Sequence, residues 1–325
     1  MSAAVLGKLL AIIVTVALGW LAGRLRWLGD AQSDPARTLS NAAFYIFVPA
    51  LLFRTTARVD LGALPAGLVV AYFVPTLAML LAVYGAQQLR QRHQRHAEPA
   101  QPAVRAISVS YGNAVQMGIP MSAAIFGEAG LGLHLMLVSV HGLILLSLLT
   151  ALVEMDLARS QAQGAGLWRM LRSTLRNTVI HPVVLPVLLG LAWNLLGFGL
   201  PGLVDEVLQL LGSAVVPLCL VLIGLSLAYY GVQGHLRGAL GVTLLKLLGL
   251  PALVLAVAHW GFGLEGLPLS VLVMLAALPV GSNALIFAQR YNTLQAEATA
   301  AIVFSTLAFV LTAPLWLAVL GHLAR

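Results

Sequence analysis

The sequence predicts an all-α integral membrane protein that crosses the bilayer ten times. Of its 325 residues 60% are hydrophobic and 9% charged, and the mean hydropathy is +0.95, far outside the range of soluble domains. Apolar runs able to cross a hydrocarbon core of roughly 30 Å, about 20 helical residues each, recur along the whole length. These runs are continuous and rich in Leu, Ala and Val, whereas barrel strands would alternate over about ten residues.

In chain order the expected spans are 4–22, 38–54, 64–86, 104–126, 131–153, 178–198, 203–230, 238–260, 268–289 and 295–322. The first follows Lys8 like a signal peptide, but Gly19-Trp20-Leu21-Ala22 offers no convincing cleavage site and further spans follow. Basic residues set the orientation. Links after odd-numbered spans hold thirteen of them, among them Arg24, Arg90, Arg105, Arg159 and Arg290; the opposite side holds Lys8, Arg54, Arg58 and Arg325. The odd links are therefore expected to be cytoplasmic, in a plasma or inner membrane, with both termini outside. The net charge of +7 reflects this topology, and a nucleic-acid partner is not expected. The link Gln87 to Ala103 reads as a solvated topology determinant. Within Glu154 to Asn177, Leu167, Trp168 and Leu171 can share one face of a short interfacial helix.

Five spans per half would invert the second half against the first: 1–153 as one repeat, 154–177 as the cytoplasmic link, 178–325 as the other. Pro49 and Pro217 sit mid-span at matching places. Span four carries Asn113 and Pro120, and span nine carries Pro279, Gly281, Ser282 and Asn283. Paired interrupted spans in two halves are the best sequence pointer to a transporter's binding site. Proline disfavours helical geometry at the residue before it, so Ile119 and Leu278 are the expected breaks. Each proline would open a second half-helix whose unpaired amides suit an anion, with Asn113, Gln116, Ser282 and Asn283 supplying directional hydrogen bonds. A single such helix would fit a mere packing kink equally well; two matching ones favour a site.

Other polar groups are fewer. His141, deep in span five, suits a hydrogen-bonded core histidine or a proton-linked or substrate-contacting group. Lys246 in span eight either snorkels to the cytoplasmic interface or attracts an anion. Cys219, the single cysteine, reads as packing. Acidic residues lie almost entirely in links or at span ends, which weighs against a carboxylate proton relay or sodium site. No HExxH, GxSxG or P-loop is present, and nothing calls for a metal or cofactor, so catalysis is not expected.

The stretches NAAFYIFVPALLF, SYGNAVQMGIPMSAAIFGEAGL, VVPLCLVLIGLSLA and ALPVGSNALIFAQRYN, in that order, resemble the auxin efflux carrier family of plant PIN proteins and bacterial organic-acid permeases. The resemblance implies an inverted five-plus-five repeat similar to bile-acid-symporter and sodium/proton-antiporter folds. Spans one, two, six and seven would form a scaffold; spans three to five and eight to ten would form a moving transport domain, in which broken helices four and nine cross. Asn113, Pro120, Pro279 and Asn283 carry over by motif position; Gly112, Gln116, Gly118, Gly281 and Ser282 join them on chemistry alone. Family substrates are organic anions, auxin in plants and malate or malonate in bacteria, and a homodimer through the scaffold is implied. The long loop of plant PIN proteins between spans five and six is missing. The expected function is secondary transport of a small carboxylate by alternating access. Sodium or proton symport on the same fold, or a membrane receptor or intramembrane enzyme, are the alternatives.

Overall fold

Lipid supplies no partner for backbone amides and carbonyls, so long apolar segments close their own hydrogen bonds as helices. The computed structural model describes residues 3–29, 34–58, 66–91, 98–161, 184–230 and 236–323, with 172, 176, 179, 180 and 182. The described residues contain no strand, only one isolated antiparallel bridge, between Gly112 and Val280. The helices are α1 (Ala3–Arg24), α2 (Pro35–Ala42), α3 (Val48–Ala57), α4 (Ala66–Gln91), α5 (Gln101–Ser110), α6 (Ile119–Gln161) and α7 (Val184–Leu195). They continue with α8 (Gly202–Tyr230), α9 (Leu236–Leu244), α10 (Leu250–Ala256), α11 (Gly266–Ala277), α12 (Asn283–Arg290) and α13 (Gln295–Leu323). Among the described residues, six helical segments are long and apolar enough to span a membrane: 35–57, 66–91, 121–160, 202–229, 236–261 and 295–323. Shorter apolar helices at Val184–Leu195 and Gly266–Ala277 join them.

Several elements are continuous because proline is absorbed by a wider turn. π-Helical turns at Ala43–Phe47, Ala114–Gly118 and Leu245–Gly249 are each followed by an α-helix whose second residue is proline: Pro49, Pro120 and Pro251. Proline lacks the amide for the preceding turn and crowds its carbonyl, and one π-turn relieves both without ending the helix. This corrects the first expected break. Ile119 is helical (φ −59°, ψ −56°), and span four opens at Asn113 instead (φ −75°, ψ 61°). The second break falls as expected at Leu278 (φ −57°, ψ 147°).

Two link expectations also change. No long loop separates spans four and five: two helical stretches within Ile119–Gln161 meet directly at a kink at Gly127 (φ 64°, ψ −160°), a conformation open in practice only to glycine. The second stretch continues to Gln161 into the expected cytoplasmic link, because its buried Asp156 finds partners there. Tyr84 Oη and Gln88 Nε2 of α4 each donate to Asp156 Oδ2 at 2.7 Å. The expected interfacial helix around Leu167, Trp168 and Leu171 lies outside the described residues.

Packing falls into two neighbourhoods. α1 lies along α8, and α3 packs on α7 and α8. Separately, α5 packs on α4, α9 on α13, α10 on α4 and α11, and α6 on α11. α11 is apolar on every side, and residues Val271 to Leu278 are at most 1% exposed, as expected for a helix enclosed by others. Contacts of α8 with α13, and of α1 and α3 with α6, join the neighbourhoods. Two polar clamps fix helix ends. Asp205 accepts from Arg54 Nε at 2.8 Å and Arg58 Nη1 at 2.9 Å, tying α3 to α8. Glu297 of α13 accepts from Arg105 Nε at 2.7 Å and Nη2 at 2.9 Å, while Arg105 Nη1 donates to Gln87 at 2.7 Å. Removing one partner of such a partly buried pair leaves the other charge uncompensated.

The α1–α8 contact depends on glycine. A Cβ at Gly224 would fall 2.1 Å from Val16 O, and one at Gly19 would fall 2.3 Å from Val221 O, so the two backbones touch. Gly224→Leu should push the helices apart and cost at least about 1–3 kcal/mol, read as a lower unfolding temperature in detergent; Gly241→Leu, where a Cβ meets nothing within 4 Å, serves as control.

Candidate functional site

α5 stops at Ser110 and the chain stays extended through Tyr111 (φ −95°, ψ 106°); α11 stops at Ala277, Leu278 turns out of the helix (φ −57°, ψ 147°), and the next helix starts at Asn283. The two interruptions meet. Asn113 N donates to Pro279 O at 2.8 Å and Gly281 N donates to Tyr111 O at 2.9 Å, so each break satisfies the other's backbone. Val280 N donates to Ser305 Oγ of α13 at 3.0 Å. Close approach explains the glycines here: a Cβ on Gly281 would lie 2.9 Å from Gly112 O.

A cavity of about 80 Å³ opens at this junction, lined by Gly112, Asn113, Gly281, Ser282, Asn283 and His141 together with Tyr111 and apolar residues of α3 and α8. At roughly 30 Å³ per water it holds a group of a few heavy atoms. Asn113 and Ser282 are the caps of the helical segments that follow, so both helix N-termini, with their partial positive charge, start at its wall. The Asn283 side chain lies beside Tyr111, and Ser282 lies beside the buried Cys219 of α8. A larger cavity of about 370 Å³ borders Asn113 on the other side, between α1, α8 and α13; Val16, Trp20, Leu220, Ile223 and Ile302 make it apolar. The polar side chains are concentrated around the smaller one.

The remaining expected residues fall as follows. His141 is 1% exposed; its ring lies over Tyr111 at 4.5 Å between centroids, and Nε2 is 3.5 Å from Tyr72 Oη. Pro279 contributes its carbonyl to the junction and does not line the small cavity. Gly118 also lies outside the lining and packs on His134, whose Cε1 would be 2.6 Å from a Cβ there. Gln116 sits in the π-turn and Pro120 in the first turn of α6. Lys246 departs from the snorkelling reading. It is wholly buried and its Nζ donates to Ala276 O at 2.7 Å, because the end of α11 offers a carbonyl nearer than the interface.

Three residues of this centre escape a reading based on prolines and amides. His134 bonds Ala114 O through Nε2 at 2.8 Å; its seven-residue spacing from His141, which puts both on one helix face, was the available signal. Tyr111 gave the junction a carbonyl and the cavity a ring. Ser305, one hydroxyl in an apolar span, had no distinguishing pattern. Among the described residues, no three His, Cys, Asp or Glu could hold a metal together. Ser305→Ala should strand the buried Val280 amide at a cost of about 1–3 kcal/mol, lowering the unfolding temperature in detergent, whereas Ser305→Thr, which keeps the hydroxyl, should lose less.

Residues 4–317 match a family described as membrane transport protein. The chain is 26% identical, over 96% of its length and 97% of the relative's, to an uncharacterized transporter of Methanothermobacter thermautotrophicus. It is 27% identical to the uncharacterized transporter YfdV of Escherichia coli over 96% of each. Against auxin efflux carrier component 3a of Oryza sativa it is 32% identical over 37% of this chain and 20% of the carrier. With nearly the whole chain matched, an apolar helical body to carry it in a bilayer and transporters as relatives, the protein belongs to this membrane transport family of auxin efflux carriers, and is a transporter and not an enzyme.

Proposed function

We propose that the protein is a secondary transporter that carries a small carboxylate anion by alternating access, with the anion held where spans four and nine cross. One observation carries the reading: two interrupted helices meet backbone to backbone and turn Asn113, Ser282, Asn283 and two helix N-termini toward one small cavity. This cradle attracts an anion without a carboxylate that would repel it.

The architecture belonging to this function is ten spans in an inverted five-plus-five repeat. Spans one, two, six and seven form the scaffold, and three to five with eight to ten form the moving domain. The two packing neighbourhoods support that division. The end-to-end contacts support the alternation of sides: Arg54 with Asp205, Arg105 with Glu297, Tyr84 with Asp156, and Thr293 with Glu98 each join residues assigned to the same side. The inner or plasma membrane, external termini and homodimerisation through the scaffold complete the proposal. Reporter fusions after Gln161 and Arg290 should read cytoplasmic, and fusions after Arg58 and Phe262 external; the reverse pattern inverts the topology.

In proteoliposomes the protein should exchange labelled malate, malonate or indole acetate, and no flux with any of them overturns the substrate class. Asn113→Ala and Asn283→Ala should each raise the half-saturating concentration roughly 10- to 100-fold, the worth of a hydrogen bond to a charged group, with protein yield intact. Unchanged flux in both would leave the two spans as packing kinks. Sodium or proton gradients imposed across the same vesicles separate uniport from symport.

A further inference from the structure

The end of α11 holds a second polar feature, of opposite sign to the cradle. In an α-helix the carbonyl of one residue accepts from the amide four residues on; for Leu275, Ala276 and Ala277 those would be residues 279, 280 and 281. None of the three amides serves. Pro279 has no N–H, Val280 N goes to Ser305 Oγ at 3.0 Å, and Gly281 N goes to Tyr111 O at 2.9 Å. Leu275 O keeps only a 3.4 Å bond from Leu278 N. The break thus gathers carbonyls without their helical donors, at the negative end of a buried helix.

Into this place comes Lys246, from the π-turn Leu245–Gly249. Its Nζ donates to Ala276 O at 2.7 Å and stands against the first break, where a Cβ on Gly112 would lie 3.3 Å from it. The side chain is 0% exposed. Among the described residues no carboxylate makes an ion pair with it, and its hydrogen-bond partner is the Ala276 carbonyl at the negative end of α11. Unwound carbonyls and half-helix C-termini are the groups that coordinate small monovalent cations in broken-helix transporters.

We propose that Lys246 is a tethered occupant of a monovalent-cation site: its ammonium fills the carbonyl pocket at the end of α11, so the protein carries its own cation there and takes none from solution. The consequence for transport, that no sodium ion travels with the anion through this site, rests on the crossover being the transport site; the occupancy itself does not. Shortening the side chain should open the pocket to a free cation. Propylammonium matches the atoms that Lys246→Ala removes, whereas choline is too bulky to reach the carbonyls.

Thermal unfolding of purified protein in detergent, without any organic anion, tests this in sodium, propylammonium and choline chlorides at matched ionic strength. The wild type should unfold at one temperature in all three. Lys246→Ala should unfold lower in choline chloride and recover saturably in propylammonium, by about 5 °C near 100 times the dissociation constant. Lys246→Met fills the stem volume without a charge and should be lowered but unresponsive. A folded Lys246→Ala that responds to neither propylammonium nor sodium overturns the proposal. So does a wild type stabilised saturably by sodium over choline, a measurement that does not depend on the variant folding. Absence of organic-anion flux would sink the transport reading and leave these temperatures standing.

Discussion

A membrane interior offers no water to an interrupted helix, and the two interruptions in this chain answer that by pairing with each other. Asn113 N to Pro279 O and Gly281 N to Tyr111 O are two ordinary hydrogen bonds, yet the arrangement of the centre follows from them. They hold the breaks antiparallel, require glycine at the closest approach, and direct the following helix N-termini toward one cavity. The pairing diverts the Gly281 amide from the last turn of α11, Ser305 takes that of Val280 and Pro279 has none to give, and the place so created is filled by Lys246. One pairing therefore produces both a positive cradle and a negative carbonyl cluster within a single layer of the molecule.

Proline acts in two different ways here. After the π-turns, Pro49, Pro120 and Pro251 sit in the first turn of a continuing helix, and the backbone passes them without opening. At Pro279 the preceding Leu278 is extended and the helix ends. The difference lies in what receives the freed groups. At 278–282 a second break and a serine from α13 are in reach; at Pro49, Pro120 and Pro251 the same residue only follows a widened turn.

Charge is sorted by depth. The ionic clamps Arg54–Asp205 and Arg105–Glu297 lie at helix ends, where partial access to water moderates the cost of burying ions. At the centre the ionisable groups are neutral-capable or tethered: His134 and His141 on one face of α6, and Lys246 on carbonyls. Arg290, at the end of α12, is held differently, over the rings of Phe44 and Tyr45 at 5.3 and 5.5 Å. A cation–π contact of this kind holds without a fixed ion pair.

Composition and apolar run length determined the all-helical membrane class, because only helices and closed barrels satisfy a backbone in lipid and the runs lack barrel alternation. The sequence also marked Gly112, Asn113, Gly281, Ser282 and Asn283, since polar and flexible residues are costly in a span unless something there uses them. It could not show that span four opens at Asn113 and not Ile119, because whether proline ends a helix depends on which neighbours take up the freed groups. The loop expected near residue 128 became a bend, since a single glycine at φ 64° turned the chain without one. Lys246 had a stem long enough for the interface or the centre; the unpaired carbonyl of Ala276, created by a helix thirty residues further on, decided between them. Local chemistry is written along the chain, but the partner for a broken backbone comes from elsewhere in it, and only the tertiary structure brings the two together.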